Sequence, residues 1–263
     1  MEDNRFSWIY TQFVSENIFV NILIHETDMF GLNQTKYSSI TYCTKNGERG
    51  YSKIQHSIYT IFSKISNNKL FINFSNEMIE ISGIIEYKNN LSFQNVLHKE
   101  QNGQISHWDV IIPHGNFFGE IKYMSKIVSS KAFVYQDKQY GTLPIQSFLN
   151  RWAWSVTIND FITNGMFSIL SKDNNSVTIK FSCDGTNISK EITRLFDKNW
   201  VDDLEKLSDA AYNDYRIKSV DVDNRPIRKR IKEKHDDFEI TYYRYVCKSS
   251  SLICGSCEYM KIH

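Results

Sequence analysis

The chain has 263 residues, enough for one large β domain or two smaller ones, and either could bury a real core. Its 31 Lys and Arg against 30 Asp and Glu leave a formal charge of +1, so no global field draws nucleic acid or an anionic membrane, and a polyanionic partner is not expected. Five cysteines are an odd and sparse set for this length, which argues against a disulfide scaffold and predicts reduced thiols.

The opening residues, MEDNRFSWIY, are acidic and polar, unlike an export signal, and no later stretch approaches the roughly 18 apolar residues of a membrane span. No integral membrane segment and a cytoplasmic location are therefore expected. The sequons at Asn33 and Asn187 then reflect an asparagine-rich composition rather than glycosylation. Downstream, β-branched and aromatic residues alternate with polar ones, as in Leu70, Ile72, Phe74 and again in Val177, Ile179, Phe181. That period of two predicts many short strands. Breaks suited to turns fall at Asn46-Gly47, Asn67-Asn68, Asn89-Asn90, Asn102-Gly103, Asp184-Gly185 and Asn224-Arg225-Pro226. With only three prolines to interrupt the strands, an antiparallel sandwich or barrel is the expected class.

One segment departs from this rhythm. From Trp200 to Tyr215, apolar Val201, Leu204, Leu207, Ala211 and Tyr215 follow helical spacing, with Asp202, Asp203 and Glu205 near the start, and a helix is predicted there. The run from Arg225 to Lys234 carries six positive charges, but Asp236, Asp237 and Glu239 follow at once, so a solvated strand and turn is expected. Alternation resumes at Phe238 to Val246 and Leu252 to Met260.

Familiar catalytic signatures are few. Cys254-Gly-Ser-Cys257 lies in a strand pattern rather than at the opening of a helix beside a βαβ unit, which argues against a redox role. Zinc would need a fourth ligand beside Cys247, Cys254 and Cys257, and neither His235 nor His263 stands at a recognised spacing. No metal and no cofactor are expected.

The stretch KAFVYQDKQYGTLPIQSFLNRWAWS, residues 131–155, is more informative, because it places the carboxylate of Asp137 among two tyrosines and two tryptophans. Strand parity puts Tyr135, Asp137 and Gln139 on one face, and likewise Trp152 and Trp154 on one face. Two readings of these residues stand open. In one, Asp137 occupies a hairpin turn and the tryptophans fill a core. In the other, the face lines an apolar cavity, burial keeps the carboxyl protonated, and aromatic faces stabilise developing positive charge.

Residues 135–141, Tyr-Gln-Asp-Lys-Gln-Tyr-Gly, resemble the Tyr-His-Asp-His-Asn-Trp-Gly signature of the carotenoid hydratase and AttH-like proteins. Trp152-Ala-Trp154 resembles their following Trp-x-Trp strand, Phe6-Ser-Trp8-Ile-Tyr10 their opening aromatic strand, and His107-Trp108-Asp-Val-Ile-Ile-Pro113 the strand before the signature. The resemblance, shared with tocopherol cyclases and lipocalin-like pericyclases, covers about residues 6–155. It implies a mainly β chain of two lipocalin-like antiparallel barrels or half-barrels with the ligand near their junction, here residues 1–129 and 130–263, the second carrying the helix at 200–215. It also implies that Asp137 donates a proton, with Tyr135 and His107 beside it. Gln136, Lys138 and Tyr140 replace the family's two histidines and tryptophan, and the second half is short for the family.

The expected function is a cofactor-independent enzyme that binds an apolar natural-product-type metabolite and catalyses acid-assisted cyclisation, isomerisation or hydration. Asp137, Tyr135 and His107 are the catalytic candidates. Trp108, Gln139, Tyr140, Trp152 and Trp154 are the substrate-binding candidates, with His25 and Glu120 as further groups that the fold could bring near; His114, after Pro113, is expected at an exposed turn. Two alternatives remain: a pericyclase acting by substrate folding, and a lipid carrier that does no chemistry. Oligomeric state is open.

Overall fold

The computed structural model describes residues 6–27, 36–55, 61–194, 198, 215–217, 220–234, 239–249 and 252–263. Among these the chain is mainly β, in two antiparallel sheets. The first sheet holds β1 (Phe6–Val14), β2 (Ile18–Thr27), β3 (Tyr37–Thr44), β4 (Arg49–Gln55) and β5 (Phe62–Ser66). It continues with β6 (Lys69–Ser75), β7 (Ile79–Tyr87), β8 (Phe93–Gln101), β9 (Gln104–Tyr123) and β10 (Lys126–Gly141). Its order is β4-β3-β2-β1-β10-β9-β7-β6-β5, with β8 paired to β9 off that path.

The second sheet holds β11 (Leu149–Ile158), β12 (Thr163–Ser171), β13 (Ser176–Cys183) and β14 (Ile188–Thr193). Its other members are β15 (Tyr215–Ile217), β16 (Val220–Lys234), β17 (Glu239–Ser249) and β18 (Leu252–Ile262), in the order β14-β13-β12-β11-β18-β17-β16-β15. A one-turn helix, α1 (Ile145–Phe148), joins the sheets. The chain changes sheets within residues 142–148, and the expected boundary at 129/130 falls inside β10.

Most turns form where small polar residues permit positive φ, as at Asn102 and Gly103 (φ 53° and 73°), which close the β8–β9 hairpin. Two expectations change. Asn224-Arg225-Pro226 is no turn: it lies within β16, where pairing with β17 slips between Asp223 and Arg228, an irregularity that lets a strand contain proline without a ladder hydrogen bond. His114 is buried, with Nδ1 2.8 Å from the Thr163 hydroxyl of the second sheet, rather than turn-exposed. Of the helix expected at 200–215, residues 200–214 lie outside the described residues, and Tyr215 opens β15.

Irregularities in β9 set the faces of the first sheet. Opposite β10, Val134 pairs with Gly115, Gln136 with Ile112 and Asp137 with Val110, so β9 carries extra residues around Ile111 and Pro113-His114. Each extra residue reverses the alternation of the strand. Ile112 consequently enters the core inside the first sheet, with Phe13, Ile22, Val134 and Phe117, whereas Val110 and Trp108 enter the core between the sheets. That second core draws Trp8, Tyr10, Trp108 and Tyr135 from the first sheet and Trp152, Trp154, Phe167, Phe181 and Met260 from the other. Gly141 ends β10 where the Ile105 carbonyl oxygen lies 2.1 Å from the position of a Cβ; that oxygen accepts the Thr142 and Leu143 N–H groups, both at 2.8 Å, as the chain leaves the sheet.

Candidate active site

Asp137 lies in mid-sheet, paired with Tyr10 of β1 and Val110 of β9, and is only 1% exposed. Rings enclose this face. Tyr10 meets Trp154 edge-on at 4.8 Å between centroids and Tyr135 at 6.2 Å, while Tyr135 lies 6.0 Å from Trp154 and stacks on Phe181 at 6.0 Å. A carboxylate in such surroundings loses its hydration, and burial pushes the Asp137 carboxyl up to about 8. Tyr135 and Trp108 favour its charged form, as does Arg244, while Glu258 opposes it; burial outweighs all of them. Burial likewise raises the Tyr10 and Tyr135 phenols, so both stay protonated. At neutral pH the site holds a neutral acid among neutral rings.

Several of its polar atoms fall outside ideal hydrogen-bond geometry. Asp137 Oδ1, the Tyr135 hydroxyl and the indole Nε1 atoms of Trp108 and Trp152 are buried with no closed hydrogen bond. The Tyr135 hydroxyl and the Trp108 indole lie within hydrogen-bonding reach of the Asp137 carboxyl and favour its charged form. Both indoles pack on Phe167, with centroids at 4.5 Å for Trp108 and 5.7 Å for Trp152.

Next to these rings runs a polar layer. The Tyr10 hydroxyl donates to Gln12 Oε1 at 3.0 Å and lies 2.9 Å from Ser256 Oγ, which itself donates to Gln12 at 3.0 Å. Arg244 of β17 sits over the Tyr10 ring at 5.3 Å, pairs with Glu258 of β18 at 2.5 Å, and donates to Asn21 Oδ1 and, at 3.2 Å, to Thr41 Oγ1. Tyr10, Gln12, Ser256, Arg244, Glu258, Phe167 and Phe181 carry no assigned role in the sequence reading. The signal for two of them was there: Arg244 in Tyr-Tyr-Arg-Tyr-Val and Glu258 in Cys-Glu-Tyr-Met are charges inside apolar alternation.

The structure brings together Asp137, Tyr135, Trp108, Trp152 and Trp154. Gln139, paired with Trp8 and Trp108, shares their sheet face, as does His25, paired with Trp8 and stacked on Tyr37 at 4.2 Å. His107 and Tyr140 do not join. They face each other across β9 and β10 with stacked rings at 5.1 Å, on the face of the sheet opposite Asp137, because each is one position out of step with Trp108 and Gln139. The Tyr140 hydroxyl donates to Asp109 on that same opposite face, at 3.0 Å. Glu120 sits at the far end of β9, half-exposed, and pairs with Lys122 at 3.2 Å.

Cys257 is a buried free thiol. Among the described residues no cluster of three or more His, Cys, Asp or Glu is placed to hold a metal ion, and no helix is long and apolar enough to cross a membrane. A cleft of about 710 Å³ runs along the β1–β2 turn, Asn116–Phe118 and Ile127–Phe133, away from all of these rings.

No protein-family model matches the chain, and no curated protein sequence does. Solved structures do match. An AttH-like protein from Nitrosomonas europaea aligns over 100% of this chain and 93% of its own, at 11% identity and a TM-score of 0.56. Kievitone hydratase from Nectria haematococca aligns over 97% and 88%, at 12% identity and a TM-score of 0.48, and CghA over 98% and 89%, at 7% identity and 0.49. The described residues have the lipocalin-like two-sheet fold of the AttH-like protein, the architecture implied by the motifs around Asp137.

Proposed function

We propose that the chain is a cofactor-independent enzyme that binds an apolar metabolite among the rings at the sheet junction and acts on it with the protonated carboxyl of Asp137. The observation that carries this reading is a carboxyl 1% exposed and raised to about 8, which keeps a transferable proton at neutral pH where an ordinary aspartate has none. Tyr135 biases the carboxyl. Trp108, Trp152 and Trp154 supply apolar surface and π faces that stabilise a cation formed when an alkene, epoxide or carbonyl takes the proton. General acid catalysis contributes roughly 10²- to 10⁴-fold, so holding the substrate in a reactive shape supplies much of the remaining acceleration. His107 and Tyr140, on the other sheet face, have no part in this mechanism.

The test is turnover of a panel of linear polyenes and prenylated phenols by the parent chain and Asp137→Asn in deuterated buffer, with products read by mass spectrometry. Acid catalysis of an alkene predicts deuterium bound to the protonated carbon of the product and a loss of turnover of about 10²-fold or more in the variant. Turnover that survives Asp137→Asn without solvent deuterium supports a pericyclase instead, with Asp137 as a hydrogen-bond donor. Tight binding of panel members with no turnover by either protein supports a carrier.

A further inference from the structure

The face of the first sheet opposite Asp137 carries a second group of chemistry-bearing side chains, which the proposed function does not use. We propose that His98 of β8 and His107 of β9 chelate a divalent late transition-metal ion, Cu²⁺ or Zn²⁺ in type, through their two Nδ1 atoms.

The strands set the pair up. β8 and β9 form the hairpin closed by Asn102 and Gly103, in which His98 stands directly opposite His107. Opposed residues on one face keep their Cβ atoms about 4.5–5.5 Å apart, close enough for both rings to reach one point. The two Nδ1 atoms lie 3.3 Å apart, with ring centroids at 4.8 Å and planes inclined at 51°. That separation is long for a hydrogen bond between ring nitrogens. It suits two ligands of a tetrahedral ion: with metal–nitrogen bonds of about 2.0–2.1 Å, nitrogens 3.3 Å apart subtend about 107° at the metal. A hydrogen bond needs one Nδ1 to carry the proton, whereas an ion takes the lone pairs of both and leaves the protons on Nε2, a tautomer open to neutral imidazole.

The surroundings favour binding. His107 stacks on Tyr140 at 5.1 Å, and the Tyr140 hydroxyl is itself fixed on Asp109 at 3.0 Å. One ligand is therefore pre-oriented, and the ring of exposed His98 makes most of the adjustment, which lowers the ordering cost. Strand parity places the carboxylates of Glu100 and Asp109 on this same face, two residues beyond His98 and His107, where they offset the Lys138 ammonium 5.2 Å from the Tyr140 ring. Among the described residues no third His, Cys, Asp or Glu joins the pair, so the site is an open two-nitrogen chelate whose remaining positions fall to water. Such a site holds Cu²⁺ more tightly than Zn²⁺.

The test titrates Cu²⁺ and Zn²⁺ by calorimetry at pH 7.5 into the full chain, free of any affinity tag and stripped with EDTA. His98→Ala, His107→Ala and the double variant are titrated alongside, with folding checked by far-ultraviolet circular dichroism. The parent should bind Cu²⁺ more tightly than Zn²⁺, and each single variant should lose about tenfold or more in Cu²⁺ affinity, at least what loss of an outer-shell partner costs at metal sites. Nitrogen hyperfine structure in the Cu²⁺ electron paramagnetic resonance spectrum should fall from two imidazoles in the parent to one in His98→Ala. Because His98 is exposed, His98→Ala keeps the fold and decides the outcome even if His107→Ala unfolds. No binding by the parent, or equal Cu²⁺ affinity and an unchanged spectrum in His98→Ala, would overturn the proposal. Either result leaves the reading of Asp137 untouched, since the pair lies on the other face of the sheet.

Discussion

At the scale of single residues, Asp137 couples the chemistry of the site to the stability of the fold. Its folded value of about 8 lies above the ordinary 3.8, so between those values the folded chain holds a proton that the unfolded chain has released. Stability linked to this group is fully present below pH 3.8 and is lost as pH rises through about 8, at about 1.4 kcal/mol per unit. Asp137→Asn removes that slope. Urea unfolding of the variant and the parent should give a difference in favour of Asn that widens steadily from about pH 5 to about pH 8; parallel curves would mean that the carboxyl ionises freely. Tyr135→Phe makes a second prediction. The hydroxyl lies within hydrogen-bonding reach of Asp137 and favours its charged form, so its removal should raise the carboxyl titration seen by ¹³C NMR, at a stability cost of about 1 kcal/mol or less.

Among the elements, β9 and β10 are the pair on which the site depends. The extra residues of β9 let Val110 and Trp108 face the sheet junction while Ile112 stays in the inner core, and without the one at Ile111 the side chain of Ile112 would share the face of Val110. The end of β10 is set by Gly141, whose missing Cβ leaves room for the Ile105 carbonyl that ties down Thr142 and Leu143. Any side chain there collides with backbone, which has no rotamer to yield. Gly141→Ala should therefore cost about 2 kcal/mol or more by thermal or urea unfolding, several times the effect of an exposed substitution. Because this segment leads into the second sheet, the near-ultraviolet circular dichroism of the junction tryptophans should weaken as well.

Over the whole molecule, the two sheets meet in a shared core, and a buried ion pair lies beside it. Arg244 and Glu258 have side chains 3% and 8% exposed and meet at 2.5 Å, beside Asn21 and Thr41 of the opposite sheet. Removing one partner strands a buried charge: Glu258→Gln should destabilise by about 3–5 kcal/mol, whereas replacing both residues with apolar ones of similar volume should recover most of that loss. Glu258→Gln should also lower the Asp137 titration, since the Glu258 charge helps to raise it. Both sheets should unfold in one transition, followed equally by tryptophan fluorescence and far-ultraviolet dichroism.

Much of this was legible along the chain because it is local. Period-two alternation identifies strands, and the same parity places Tyr135 with Asp137 on one face and Trp152 with Trp154 on another, since neighbouring residues in a strand must point apart. Parity also forbids adjacent His107 and Trp108, or Gln139 and Tyr140, from sharing a face, although all four are candidates for one site in the sequence. What alternation cannot say is which member of each pair looks toward the junction; the irregular pairing of β9 and its register against β10 decide that. The polar layer depends still more on the fold, because Tyr10 reaches Ser256 across 246 residues and Arg244 reaches Asn21 across 223. Strands, the grouping of side chains into alternate faces and the unusual setting of Asp137 could all be read from residue order, because each follows from the stereochemistry of neighbouring residues. That the acid is dry and lies near a buried ion pair comes from the fold, because desolvation is imposed by side chains that the chain order keeps far apart.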